Sequence, residues 1–153
     1  MNFEQATKAG SLYHLGMIAT NAMDKVIADD KCMPYAKTGY TVMDGVCYVC
    51  LAGAVMAKTL NIKSVDEKDL CHKSLLALDF LRIGMVDEAY SELGHTNMGK
   101  YSFTHQYFPF AEFRGRDAAR VFIQELREFL PELREFEESV GILPKPKEEI
   151  ACG

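Results

Sequence analysis

Apolar positions recur at helical spacing along most of this chain. Leu12, Leu15, Ala19, Ala22, Met23 and Val26 fall three or four residues apart, which sets them on one face of a helix within residues 11–30. Gly16 weakens that helix slightly, because glycine has more backbone freedom to lose. Residues 31–45 hold Pro34, Gly39 and Gly45 without a period and read as a loop. Residues 46–60 are apolar nearly all round, as expected of a helix covered on several sides. Ser64 and Glu67 then stand at the capping-box spacing, where each side chain takes up a free amide of a new helix. That helix, residues 65–83, carries one stripe of Leu70, Cys71, Ala77, Leu78 and Leu81, and a second of Leu76, Phe80 and Ile83. Two stripes require two packing partners, so 46–60 and 65–83 are expected at the centre of the molecule.

Gly84 and Gly94 are placed to end helices at 65–83 and 85–93 in a left-handed conformation. Residues 95–116 show no helical period and form the longest irregular segment. Asp117 is positioned to cap a final helix. There Ala119, Phe122, Leu126, Phe129, Leu133, Phe136 and Val140 alternate spacings of three and four in a heptad-like seam. Pro131 lacks an amide and clashes one turn back, which predicts a kink or a restart. Gly141 stops the helix, and Pro144 and Pro146 open a polar tail. No segment alternates like a strand. The pattern therefore predicts an all-α fold, a compact single-domain bundle of five to six helices over residues 1–143, with a flexible tail at 144–153.

Composition narrows the class. The chain has 153 residues, 48% hydrophobic and 25% charged, and 17 Lys plus Arg against 22 Asp plus Glu give a net charge of -5. These values exclude a mostly disordered or fibrous chain. The mild acidic balance argues against a protein built to coat nucleic acid or an anionic membrane. The first ten residues include Glu4 and no apolar run behind a basic start, unlike a signal peptide. The apolar run from 46 to 57 is too short for a membrane-spanning helix, which needs roughly 20 residues. The five cysteines, Cys32, Cys47, Cys50, Cys71 and Cys152, form no dense framework. They read as reduced thiols of a cytoplasmic protein.

Three features could carry chemistry. Cys47-x-x-Cys50 could serve redox chemistry or, with Cys71 and His72, hold a metal ion. The favoured reading is packing, since Cys47, Cys50, Ala54 and Ala57 would make a narrow stripe of small side chains on one helix. Residues 95–116 combine Tyr101, Phe103, Tyr107, Phe108, Phe110 and Phe113 with His95, Lys100, His105, Arg114 and Arg116. Such a mixture suits an interface anchored on rings and cations, or stacking on bases. It also suits a loop whose rings plug the core. Residues 117–140 hold seven acids and three arginines. Their seam packs on the protein's own core beneath a solvated acidic face, or alternatively joins two copies through residues 119–140. No glycine-rich phosphate loop, His-Glu-x-x-His helix or Gly-x-Ser-x-Gly elbow is present, and no cofactor is implied.

The stretch Cys47-Tyr48-Val49-Cys50-Leu51-Ala52-Gly53 resembles the Cys-x-x-Cys-(Leu/Ile)-Ala-Gly motif of small uncharacterised phage and bacterial proteins. Ala77-Leu78-x-x-Leu81-x-x-Gly84, then Glu88-Ala89 and Leu93, is similar to their middle part, and Ala118-Ala119 to their last helix. The resemblance implies a viral or mobile-element accessory protein and supplies no active site. The expected function is a small cytoplasmic module that binds a host or self protein through Tyr101, Phe103, His105, Tyr107, Arg114 and Arg116. A metal- or thiol-dependent protein using Cys47 and Cys50 is one alternative. An enzyme or small-ligand binder with His95, His105 and Arg114 around a pocket is another.

Overall fold

The computed structural model describes residues 1–35, 40–75, 77–78 and 114–146. Its first helix, α1 (Phe3–Ala9), opens on a reciprocal cap. Asn2 Oδ1 accepts from the Gln5 amide at 2.8 Å, and Gln5 Oε1 accepts from the Asn2 amide at 3.0 Å. After Gly10, which is left-handed, Ser11 caps α2 (Leu12–Ala28) by accepting from the His14 amide at 3.2 Å. Leu12, Leu15, Ala19, Ala22, Met23 and Val26 are all buried, as their spacing predicts. Gly16 does more than weaken this helix. A Cβ there would stand 2.7 Å from Leu130 Cδ2, so its bare backbone lets α2 and the last helix approach closely.

The all-α expectation is corrected by three short strands. β1 (Cys32–Pro34), β2 (Tyr40–Met43) and β3 (Val46–Val49) form a mixed sheet in the order β1-β3-β2, and the fold is α+β. β1 runs parallel to β3 and β2 antiparallel to it. Strands of three or four residues are too short for alternation to register. An apolar run such as Val46–Val49 also cannot be told from a buried helix by period alone. The missed signal is Asp44-Gly45, with φ of +52° and +77°, a two-residue turn whose twist matches that of a hairpin.

The helix expected over 46–60 consequently starts late. Cys50 is its cap, α3 spans Leu51–Ala54, and the chain continues as a wider π turn over Val55–Thr59. Cys47 lies on β3, so the small-residue stripe of Cys47, Cys50, Ala54 and Ala57 does not form on one helix. Helix α4 is present at 65–75 and 77–78, with Ser64 Oγ accepting from the Glu67 amide at 3.2 Å. Leu75 is buried, but Val65 and Leu70 are exposed, which places the described part of α4 at the periphery. The centre is α2, which meets α1, α3, the π turn, β1 and the last helix. Leu76, Phe80, Leu81, Ile83, Gly84 and Gly94, with the helix expected over 85–93, lie outside the described residues.

The last helix, α5, runs unbroken from Arg116 to Ser139 through Pro131. The expected restart does not occur. One lost hydrogen bond is outweighed by the apolar face on either side, where Phe129, Leu130 and Leu133 are buried. Gly115, at φ +99°, precedes the helix without a side-chain cap, and Asp117 instead pairs with Arg120 at 2.7 Å inside the first turn. Ala119, Phe122, Leu126, Phe129 and Leu133 of the seam are buried, Phe136 partly so, and Val140 is exposed. The seam packs against α2 of the same chain, which leaves little of it for a second copy. Beyond Gly141 the chain folds back, and Leu143 is buried with its amide 3.2 Å from the Glu137 carbonyl oxygen. No helix among the described residues is long and apolar enough to cross a membrane.

Candidate functional site

Strand pairing brings the chemistry together. Cys32 lies opposite Cys47 across β1 and β3, Val42 opposite Cys47 across β2 and β3, and Tyr40 opposite Val49. Residues two apart and residues directly opposite share a face. Cys32, Cys47, Val49, Tyr40 and Val42 therefore stand on one side of the sheet. Covering falls off along that face: Cys32 and Val49 are buried, Cys47 and Tyr40 half-buried, and Val42 exposed.

Asp29, which closes α2, reaches this face. Its Oδ1 accepts from the Lys31 amide at 3.0 Å, fixing the turn into β1. Its Oδ2 accepts from Lys58 Nζ at 2.6 Å and from Cys32 Sγ at 3.5 Å. Lys58 comes from the π turn. The Lys58 hydrogen bond, helped by the Lys31 amide, holds the Asp29 carboxyl down to about 2. The same hydrogen bond raises Lys58. Burial pushes the Cys32 thiol up to about 11, with Cys47 beside it adding to the effect. Burial also raises Cys47, against hydrogen bonds to Cys32 and Tyr40. Tyr40 is raised by burial and by the neighbouring Cys47.

The site is thus a carboxylate–ammonium pair beside two protonated thiols. A thiol nucleophile or metal ligand acts as thiolate, and this environment favours the neutral form. Stability follows with a definite sign. The folded chain holds the Cys32 proton more tightly than the unfolded chain, so its contribution is complete below the ordinary 9.0 and is lost as pH rises towards 11. Asp29 works oppositely, contributing above its ordinary 3.8 and losing that contribution as pH falls towards 2. Melting of the reduced protein is expected to fall more steeply between pH 9 and 11 than that of Cys32→Ser. Parallel melting curves for the two proteins across that range would contradict the assignment.

The other expected site residues scatter. Cys50 is buried, and its sulfur accepts from the Gly53 amide at 3.4 Å as the cap of α3. Cys71 and His72 are half-buried on α4, and burial raises the Cys71 thiol. Among the described residues, no group of three or more His, Cys, Asp and Glu side chains could hold a metal ion. Arg114 bridges to Tyr35 through its backbone and sets its guanidinium 5.6 Å from the Tyr35 ring centre. Arg116 turns inward to the carbonyl oxygens of Ile27, Asp29 and Cys32, at 3.3, 3.3 and 2.8 Å. His95, Tyr101, Phe103, His105 and Tyr107 lie outside the described residues.

The Cys-x-x-Cys spacing points to Cys50 as the neighbour of Cys47, where the fold pairs Cys47 with Cys32. Nothing in a separation of fifteen residues marks that partnership; it arises from strand register. Comparison with family models, curated proteins and solved structures gave no match for this chain.

Proposed function

We propose that the protein is a small cytoplasmic accessory module that binds another macromolecule by surface complementarity. In line with the resemblance to small phage and bacterial proteins, the partner is a protein of the host. The observation that carries the reading is the exposure of four large apolar side chains on two neighbouring elements. Val42 and Met43 on β2 are 60% and 55% exposed, and Val65 and Leu70 on α4 are 70% and 68% exposed. Lys68 Nζ lies 5.3 Å from the Tyr40 ring centre and joins α4 to β2. Val42 shares the face of Tyr40 and Met43 lies on the other side of β2, so exposed apolar side chains flank this junction on both sides, as suits a surface that a partner covers. Arg114 is exposed at the outer side of β1. The rings of Tyr101, Phe103 and Tyr107, with the imidazole of His105, extend the reading from the sequence.

Val42→Ser, Met43→Ser and Leu70→Ser, combined in one protein, test it. Each exposed substitution of this kind shifts Tm by roughly 1–2 °C at most, and the three together by no more than about 3–6 °C. Protein captured from the native host by the wild-type chain is expected to fall at least tenfold with the triple variant. Undiminished capture by a well-folded variant would refute the surface. A collapse of Tm would mean that the three side chains belong to the core.

A further inference from the structure

Cys32 and Cys47 are direct partners across the parallel β1–β3 pair, and each thiol affects the proton affinity of the other. Paired strands lie about 4.8 Å apart, within the roughly 4.4–6.8 Å separation of Cα atoms that a disulfide spans. The two sulfurs differ in access, since Cys47 is half-buried and Cys32 buried. Lys58 sets a positive charge near both. All four described cysteines are free thiols.

We propose that Cys32 and Cys47 are a redox-responsive dithiol that closes to an intramolecular disulfide on meeting a small-molecule disulfide of the glutathione class, locking β1 to β3. This goes beyond the binding reading and stands without it. Cys47, the accessible thiol, loses its proton to solvent and attacks one sulfur of the oxidant. The oxidant's sulfur–sulfur bond breaks, a mixed disulfide forms on Cys47, and the first small thiolate leaves and takes up a proton. Cys32 then gives its proton to solvent, its developing thiolate steadied by the Lys58 ammonium, and attacks Cys47 Sγ. The mixed disulfide breaks and the second small thiol leaves. Two protein thiols are oxidised, and one small disulfide is reduced to two thiols. Because both protein thiols hold their protons tightly, closure is slow near neutrality and faster in mild alkali.

The bridge would enclose the 32–47 segment, including the Asp44-Gly45 turn and the exposed Val42 and Met43. It removes freedom mainly from the unfolded chain. The full-length protein is incubated with glutathione disulfide at about pH 8.5, where thiolates form more readily. Remaining thiols are then alkylated, and the protein is digested without reductant. The expected result is a peptide pair joined through Cys32 and Cys47, with Tm raised by roughly 5–10 °C over the reduced protein. Cys47→Ser should abolish the linkage and the rise in Tm, while Cys71→Ser should keep both. Four outcomes with the wild-type chain overturn the proposal: both thiols still open to alkylation, a stable small-thiol adduct on Cys47 without closure, linkage to another cysteine, or a Cys32–Cys47 bridge that lowers Tm.

Discussion

Glu137→Ala is expected to destabilise the protein by about 3–5 kcal/mol, the range for stripping one partner from a buried polar network. Glu137 is wholly buried. Its Oε1 accepts from the amides of Leu12 and Tyr13 at 2.6 and 3.1 Å, and its Oε2 accepts from Ser11 Oγ at 2.7 Å. A carboxylate from α5 thus satisfies the first amides of α2, at the end where that helix carries partial positive charge. Alanine would leave two amides and a hydroxyl without this acceptor in a region closed to water, and each such loss costs about 1–3 kcal/mol. Glu137→Gln keeps a carbonyl oxygen for the amides, and its NH2 can donate to Ser11 Oγ. Its expected cost is less than half that of alanine. Urea unfolding with an unchanged m-value would read both variants. Equal costs for the two, or a cost below about 1 kcal/mol for alanine, would refute the network.

Arg116→Ala should cost about 2–3 kcal/mol, since charge-assisted hydrogen bonds exceed neutral ones. The guanidinium reaches three carbonyl oxygens, of Ile27, Asp29 and Cys32, across the exit of α2 and the start of β1. Backbone contacts reinforce the same junction, with the Gly115 amide 2.9 Å from the Pro34 carbonyl oxygen. A lysine offers one ammonium in place of a planar fork. Arg116→Lys should therefore recover less than half of the loss. Faster hydrogen exchange at residues 27–34 would localise the effect. If Arg116→Ala instead left stability unchanged and abolished partner capture, Arg116 would be a contact residue, as its place in the aromatic and basic segment suggests.

An acid or a base changes its role once the chain is folded. From residue spacing, Glu137 counts among the solvated acids of 117–140 and Arg116 among the cations of an interface. Their neighbours in sequence give no sign that one closes α2 and the other ties α2 to β1. Both roles join residues about 85 to 125 positions apart in the chain, as the separations in these hydrogen bonds record. The thiols follow the same logic. Cys47-x-x-Cys50 is conspicuous as a motif, yet its two sulfurs part company at a strand-to-helix junction, where one faces Cys32 and the other caps α3.

Periodicity alone determined α2 and the buried face of α5. A long amphipathic helix repeats its instruction every turn, so a single glycine or Pro131 does not silence it. It likewise marked Ser64 as a cap and Gly141, at φ +82°, as the end of α5. Tertiary structure decided the sheet, the central position of α2, and the site where Asp29, Cys32, Tyr40, Cys47 and Lys58 meet. Strands of three or four residues contain no repeat to read, and their identity depends on partners supplied from elsewhere in the chain. Register between such strands, rather than any local preference, determines which thiol lies beside which.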